Sequence, residues 1–215
     1  MHRDVFSHVD TWVFDLDNTL YHPSARLFEA MNPLMTRYVM RVAGVAEEVA
    51  DRLRVDYWRD HGSTLAGLMA RHAVDPADFL ARVHEIDLSH LPRAPELDTA
   101  LRALPGRRIV YTNGSSDHAK RVLAARGLTR AFDAVFSIED AGFLPKPQAE
   151  AFARVFARAG VTPRSAAMFE DEARNLAVPH DLGMATVHVH DRPEVAAYIH
   201  HGTDDLHGFL TELAS

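Results

Sequence analysis

The sequence predicts an α/β fold, a parallel sheet with helices on both faces, interrupted after its first strand by an all-helical block. Three observations carry this expectation. From about position 108 onward, short apolar runs alternate with amphipathic stretches punctuated by Gly and Pro, the rhythm of strand–helix–strand crossovers. Between about 22 and 92 the apolar residues repeat at three and four, a helical period. Four apolar runs end in polar or charged residues, and ligands of open α/β sheets bind beyond the carboxyl ends of the strands.

The first strand is expected over 11–16, where Trp12, Val13 and Phe14 lead into Asp15 and Asp17. The helical block opens with Leu27, Met31, Leu34, Met35, Tyr38, Val39 and Val42 and reaches its first stop at Gly44, with Pro33 predicting a kink or break. Further helices are expected over 47–61, over 65–72 and after the Asp75-Pro76 start signal. The Met and Leu stripe of this block reads as core. Two prolines in Leu91-Pro92-Arg93-Ala94-Pro95 mark a linker, which divides the chain into a core of 1–21 and 93–215 and an insertion of 22–92. Strands over 108–112, 134–137, 166–169 and 186–189 then alternate with helices. The first helix, 116–126, is stopped by Gly127; the second, 147–159, has Pro147 in its first turn and Gly160 at its end. A short helix over 175–182 and an amphipathic one over 206–213 complete the set.

At 215 residues the chain fits one α/β domain with an insertion, and a chain of this size buries roughly 70% of its unfolded surface without crosslinks. It contains no cysteine, which excludes disulfides, thiolate metal sites and Cys nucleophiles and agrees with a reducing, cytoplasmic setting. The start, Met1-His2-Arg3-Asp4, leads into no long apolar run, so no signal peptide is expected. No stretch approaches the ~20 apolar residues of a membrane span. The net charge of −7, from 23 Lys and Arg against 30 Asp and Glu, argues against a nucleic-acid polymer as partner. It leaves room for an anionic small substrate, because a metal and a few local cations invert the field inside one site.

Side chains at i and i+2 of an extended chain point the same way, so Asp15 and Asp17 are expected to face one cavity. Adjacent acids repel unless a cation or a shared proton lies between them. An acidic turn would use the same residues, and the other strand ends weigh against that reading. Thr112-Asn113-Gly114-Ser115-Ser116 offers hydroxyl and backbone N–H groups at the opening of a helix, an anion cradle. Lys146 stands framed by Pro145 and Pro147, and Glu170-Asp171-Glu172 follows the fourth strand. Carboxylates with a hard cation such as Mg²⁺ leave room for waters and substrate phosphate. Lys146 and the Thr112–Asn113 cradle would hold the remaining phosphate oxygens, a set of parts that stabilises phosphoryl transfer. Asp15 is the candidate nucleophile. Asp17 is the candidate acid and then base, a role that calls for a raised pKa.

Asp15-x-Asp17-x-Thr19, Thr112, Lys146 and Glu170-Asp171 resemble, in order, the four motifs of the haloacid dehalogenase superfamily of phosphatases. The resemblance covers essentially the whole chain. It implies a Rossmann-like core, Asp15 as nucleophile, Asp17 as acid/base, and Mg²⁺ on Asp15, the Asp17 carbonyl and Asp171. Glu170 is a further candidate metal carboxylate or a group that orients Asp171. The block over 22–92 matches the position of the superfamily's helical C1 cap, which closes over the site and selects substrates. A narrower resemblance, to pyrimidine 5′-nucleotidases, rests on Tyr57 to Leu68, Val83-His84, Asp87-Leu88, Asp17 to Tyr21, and Phe169-Glu170-Asp171-x-x-x-Asn175. Glu172 departs from it, since such proteins often carry Ser there.

Tyr57, His61 and Thr64 are candidate substrate contacts in the cap and equally suited to packing its interior. Tyr21 and His22 lie just past the catalytic acids, on a segment placed to touch substrate. The 14 histidines, His188, His190, His200 and His201 among them, show no zinc spacing and read as solvated or capping residues. The expected activity is Mg²⁺-dependent hydrolysis of a small phosphorylated metabolite, with nucleoside 5′-monophosphates foremost. The alternatives are another phosphometabolite phosphatase, a phosphomutase needing a bisphosphate activator, a 2-haloacid dehalogenase needing neither metal nor proton donor, and a non-enzymatic binding module.

Overall fold

The computed structural model describes residues 3–214. Met1 and His2, on which part of the expectation about a leader rests, lie outside the described residues. In chain order the elements are α1 (Arg3–Phe6), β1 (Thr11–Phe14), α2 (Leu27–Ala43), α3 (Glu47–His61), α4 (Thr64–Arg71), α5 (Pro76–Val83), α6 (Pro95–Ala103), β2 (Arg107–Tyr111) and α7 (Ser116–Arg126). They continue with β3 (Ala134–Phe136), α8 (Ala149–Ala159), β4 (Ala166–Glu170), α9 (Ala177–Asp181), β5 (Ala185–Val189), β6 (His201–Thr203) and α10 (Leu206–Ala214).

The strands form one sheet in the order β3-β2-β1-β4-β5-β6, and every neighbouring pair is parallel. The chain lays β2 and β3 on one side of β1 and β4 to β6 on the other, so the crevice beyond β1 and β4 is the topological switch point. Alternation sorts each strand between two cores. Trp12 and Phe14 pack with Leu101 of α6, Val122 of α7 and Leu210 of α10; Val13 points the other way, toward Phe152 and Val155 of α8. A strand buried on both faces is apolar at every position, which is why these strands read as continuous runs.

Several boundaries differ from expectation. The β1 ladder ends at Phe14, although the Asp15 amide still donates to the Phe169 carbonyl at 2.9 Å. The Leu16 carbonyl then accepts from the amides of Thr19 and Leu20, and Asn18 takes φ 60°, a left-handed conformation Asn tolerates. Helix α2 runs through Pro33 unbroken. The carbonyl that Pro33 leaves without a donor belongs to Glu29, in the exposed first turn, where water can serve. Pro95 starts α6 within the stretch taken as linker, as Pro suits a first helical position. Helix α8 starts at Ala149, with Pro147 outside it and the Lys146–Pro147 peptide cis. The short edge strand β6 has no apolar run to announce it.

Helices α2 to α5 share an apolar cluster of their own, built on Tyr38, Val39, Tyr57, Leu65, Leu68 and Phe79 and joined by Ile138 from beyond β3. Leu27 and Met31 at the start of α2 pack instead into the sheet's core. The chain leaves the sheet past Leu20 and returns past Pro92, and the Arg126 guanidinium donates to both carbonyls, through Nε to Leu20 at 3.1 Å and through Nη1 to Pro92. Among the described residues no helix is long and apolar enough to cross a membrane.

Candidate active site

A cavity of about 380 Å³ lies between the carboxyl ends of β1, β2 and β4 and the inserted helices, and Asp15, Asp17, Thr112, Lys146, Glu170 and Asp171 all line it. Lys146 is only 1% exposed. Its Nζ donates to Asp15 Oδ1 at 2.6 Å, to Glu170 Oε2 at 2.5 Å and to the Tyr111 carbonyl at 3.1 Å, which engages all three N–H groups. Burial alone would lower its pKa; the two carboxylates outweigh burial and hold it well above the usual lysine range. Asn113 fixes the loop that carries it, accepting from the Lys146 amide at 2.8 Å and donating to the Lys146 carbonyl at 3.1 Å. The Asn113 side chain, expected on the phosphate, is thus engaged with the lysine. Buried Thr112 accepts from the Gly114 amide at 2.9 Å.

Carboxylate oxygens of Asp15, Glu170 and Asp171 all lie within 4.8 Å of one another. One ammonium cannot offset three acids. Burial and the charge of Glu170 push the Asp15 carboxyl up to about 8 in spite of Lys146. Burial, Glu170 and Asp15 push Asp171 well above the usual carboxylate range. A hard divalent cation fits this donor set, which is all oxygen and carries surplus negative charge that a cation relieves. Asn18 donates to Asp171 Oδ2 at 3.3 Å, and His188 Nε2 donates to the Asp171 carbonyl at 2.9 Å while its Nδ1 accepts from the Glu194 amide. His188 is therefore a buried support of the acidic loop, not a solvated residue, because its position on β5 points it inward. Glu172 also lines the cavity, its amide donating to Glu170 Oε1 at 3.3 Å, while its carboxylate lies 3.6 Å from Arg174.

Asp17 occupies different surroundings. Its Oδ1 accepts from Tyr21 Oη at 2.6 Å and from His118 Nε2 at 2.8 Å. Burial pulls its pKa up, but the charge and hydrogen bond of His118 together with the Tyr21 bond outweigh it and hold the carboxyl below its ordinary value. This reverses the raised pKa expected of an acid. Two donors on one oxygen stabilise the ionised form, and a phosphate dianion arriving alongside would push it back up. His118, on α7, is fully buried and stacks on His84 at the end of α5, with ring centroids 4.3 Å apart and planes at 13°. His84 Nδ1 shares a 2.9 Å hydrogen bond with Ser115 Oγ, and burial followed by the charge of His118 pushes its pKa down to about 3.

The other expected contacts are divided. Thr64 lines the cavity and donates to the Arg54 carbonyl at 3.0 Å. Tyr57 is packed inside the helical block with its hydroxyl paired to His72 at 3.0 Å, and neither it nor His61 lines the cavity. Tyr21 lies against Asp17, whereas His22 is an exposed partner of Asp191 at 2.7 Å. Residues not foreseen take the walls: Arg54, tied to Asp51 and Asn32, and Trp58, with the Arg174 guanidinium 4.0 Å over its ring. Around them stand apolar Phe28, Met31, Met35 and Phe79. Their helical spacing reads as core in the sequence, and only the assembled fold shows which side chains face a cavity.

Known proteins share this fold and part of this sequence. Phosphate metabolism protein 8 of Saccharomyces cerevisiae is 25% identical over 193 residues, covering 81% of this chain and 59% of that protein. (S)-2-haloacid dehalogenase of Xanthobacter autotrophicus is 33% identical over 110 residues, 50% of this chain and 43% of that protein. The chain thus spans less than two thirds of the length of either relative. The crystal structure of CbbY from Rhodobacter sphaeroides in complex with phosphate shares the fold with a TM-score of 0.65 and 17% identity, over 95% of this chain and 96% of that one. The family model for haloacid dehalogenase-like hydrolases matches residues 9–183, a span that takes in every acid and the lysine of the site, and the chain belongs to that family.

Proposed function

We propose that this hydrolase removes phosphate from small phosphomonoesters, nucleoside 5′-monophosphates foremost, through an aspartyl-phosphate on Asp15. The observation that carries the reading is the division of labour at the end of β1. Asp15 sits with Lys146 inside the acidic cluster, while Asp17 is turned away from that cluster and held by its own donors. In the first step an Asp15 oxygen bonds to phosphorus as the ester P–O bond breaks, and Asp17 hands its proton to the departing alkoxide. In the second, Asp17 takes a proton from the water that attacks phosphorus, the Asp15–phosphorus bond breaks, and inorganic phosphate leaves. Asp15, Asp171 and the Asp17 carbonyl would hold Mg²⁺, with Glu170 beside them; when bound, the ion keeps Asp15 ionised and neutralises phosphate oxygens. The Thr112 hydroxyl and the positive charge of Lys146 would face the phosphate, whereas the backbone cradle expected at the start of α7 is already engaged, the Ser116 amide donating to Glu139 and the His118 amide to Ser115 Oγ.

Helices α2 to α5 act in this reading as the cap. A cavity of about 380 Å³ lies within the range of small-molecule sites, and the flat walls of Trp58, Phe28 and Phe79 suit a base, with Arg54 and Asn32 for polar edges. Phosphate bound to the Rhodobacter structure and the name of the yeast relative agree with a phosphate substrate. Cleavage of a carbon–halogen bond needs neither a proton for the halide nor a cation, and would leave Asp17 and the acidic cluster without a task. The test is phosphate or halide release from a panel of nucleotides, sugar phosphates and 2-haloacids, with and without Mg²⁺. Turnover of nucleoside 5′-monophosphates is expected without a bisphosphate activator, and should vanish in Asp15→Asn with the circular dichroism unchanged. Metal-free halide release, or undiminished turnover by Asp15→Asn, would sink the reading.

A further inference from the structure

We infer that His118 is a positioning residue: with Tyr21 it pins Oδ1 of Asp17 so that Oδ2 alone faces the reacting phosphate ester. A carboxylate turns readily about its last side-chain bond, and nothing intrinsic decides which oxygen it presents. Here both protein donors converge on Oδ1, from Tyr21 Oη at 2.6 Å and His118 Nε2 at 2.8 Å. Oδ2 receives neither of these donors and lies 3.5 Å from where a Cβ on Gly114 would sit, and Asp17 and Gly114 both line the cavity. An ionised carboxylate only accepts, so His118 donates through Nε2.

What holds the His118 ring is the second half of the inference. Its Nδ1 is buried with no hydrogen-bond partner among the described residues, so no polar contact orients the ring from behind. A flat stack on His84 does so instead, at 4.3 Å and 13°. His84 is itself anchored: its Nδ1 meets Ser115 Oγ at 2.9 Å, and Arg121 donates to the carbonyls of His84 at 2.8 Å and Ile86 at 2.7 Å. A side chain at the end of the helical insertion therefore sets the plane of the ring that sets the plane of the carboxylate.

The inference rests on the proposed role of Asp17 as acid, and the experiment separates the two. It measures kcat/KM for 2,4-dinitrophenyl, 4-nitrophenyl and phenyl phosphate with Mg²⁺ present. This parameter reports steps up to departure of the leaving group, and only poor leaving groups need the proton. His118→Phe keeps the buried ring and its stack but donates nothing. It should lose roughly 10²-fold on phenyl phosphate, at the low end for a general acid, and only a few-fold on the dinitrophenyl ester. His118→Gln, which restores an N–H donor, should recover most of that loss, and His84→Phe, which keeps a flat ring against His118, should preserve the shallow wild-type dependence. An equal loss across all three esters in His118→Phe, with Asp17→Asn still selective against phenyl phosphate, would overturn the positioning role and leave the acid. Absence of that selectivity in Asp17→Asn would overturn the acid role and this inference with it.

Discussion

At the residue scale, one ammonium ties three strand ends together. Lys146 reaches Asp15 after β1, Tyr111 at the end of β2 and Glu170 at the end of β4. Removing it leaves two buried carboxylates facing each other, and breaking a buried pair by deleting one partner costs about 3–5 kcal/mol. Lys146→Met should therefore lower the metal-free unfolding free energy, read from urea titration, by an amount of that order, with Mg²⁺ restoring part of it; an unchanged unfolding free energy would mean that the acids are not held by the lysine. Asp15, Asp17 and Asp171 were legible in the sequence because each closely follows an apolar strand, and Lys146, well past β3, only through its flanking prolines. His118 was not. Its partner Asp17 is 101 positions away, and a histidine inside an amphipathic helix carries no local sign of what it faces. His188 was misread for the same reason, since alternation places it inward only once β5 is known to be central.

At the element scale the sequence pattern performs best where propensity and burial agree. The strands buried on both faces, and the helices with Gly at their carboxyl ends, stand close to where they were expected. Prolines account for much of the rest: Pro95 opens a helix, Pro147 precedes one, and Pro33 is carried within one. Because Pro33 is exposed and removes a helical hydrogen bond, Pro33→Ala is expected to raise stability by about 1–3 kcal/mol in urea unfolding, with kcat/KM unchanged. The turn between α3 and α4 should behave oppositely. Gly62 has φ +90°, and a Cβ there would meet Pro145 Cγ at 3.1 Å and the Lys146 carbonyl at 3.2 Å. Gly62→Ala should cost about 1–2 kcal/mol for the backbone alone. It should also depress activity more than an equally destabilising change on the surface, because it presses on the loop that carries the lysine.

At the scale of the whole molecule, the surplus acid of the site couples stability to pH and to metal. The Asp15 carboxyl, raised from 3.8 to about 8, keeps its proton when folded across a range where the unfolded chain has released it. The folded state then binds more protons, so stability falls as pH rises through that window. Asp171, also raised, acts in the same direction; Asp17, lowered, matters only toward more acid pH. The metal-free melting temperature should therefore decline between about pH 4 and 8. The rise on adding Mg²⁺ should grow with pH, since the ion displaces protons. Asp15→Asn should flatten both trends, and a metal-free melting curve that instead climbs toward pH 8 would contradict the charge distribution described.

Arg126 joins the two chain crossings between the sheet and the helical insertion. By grasping the outgoing chain at Leu20 and the returning chain at Pro92, a single guanidinium makes two covalent crossings into one mechanical joint. Two independent tethers would let the helical insertion shear and twist against the sheet; crossings clasped together favour a single swing about one axis. Leu20 lies three residues from Asp17, so the joint is close along the chain to the carboxylate held by Tyr21 and His118.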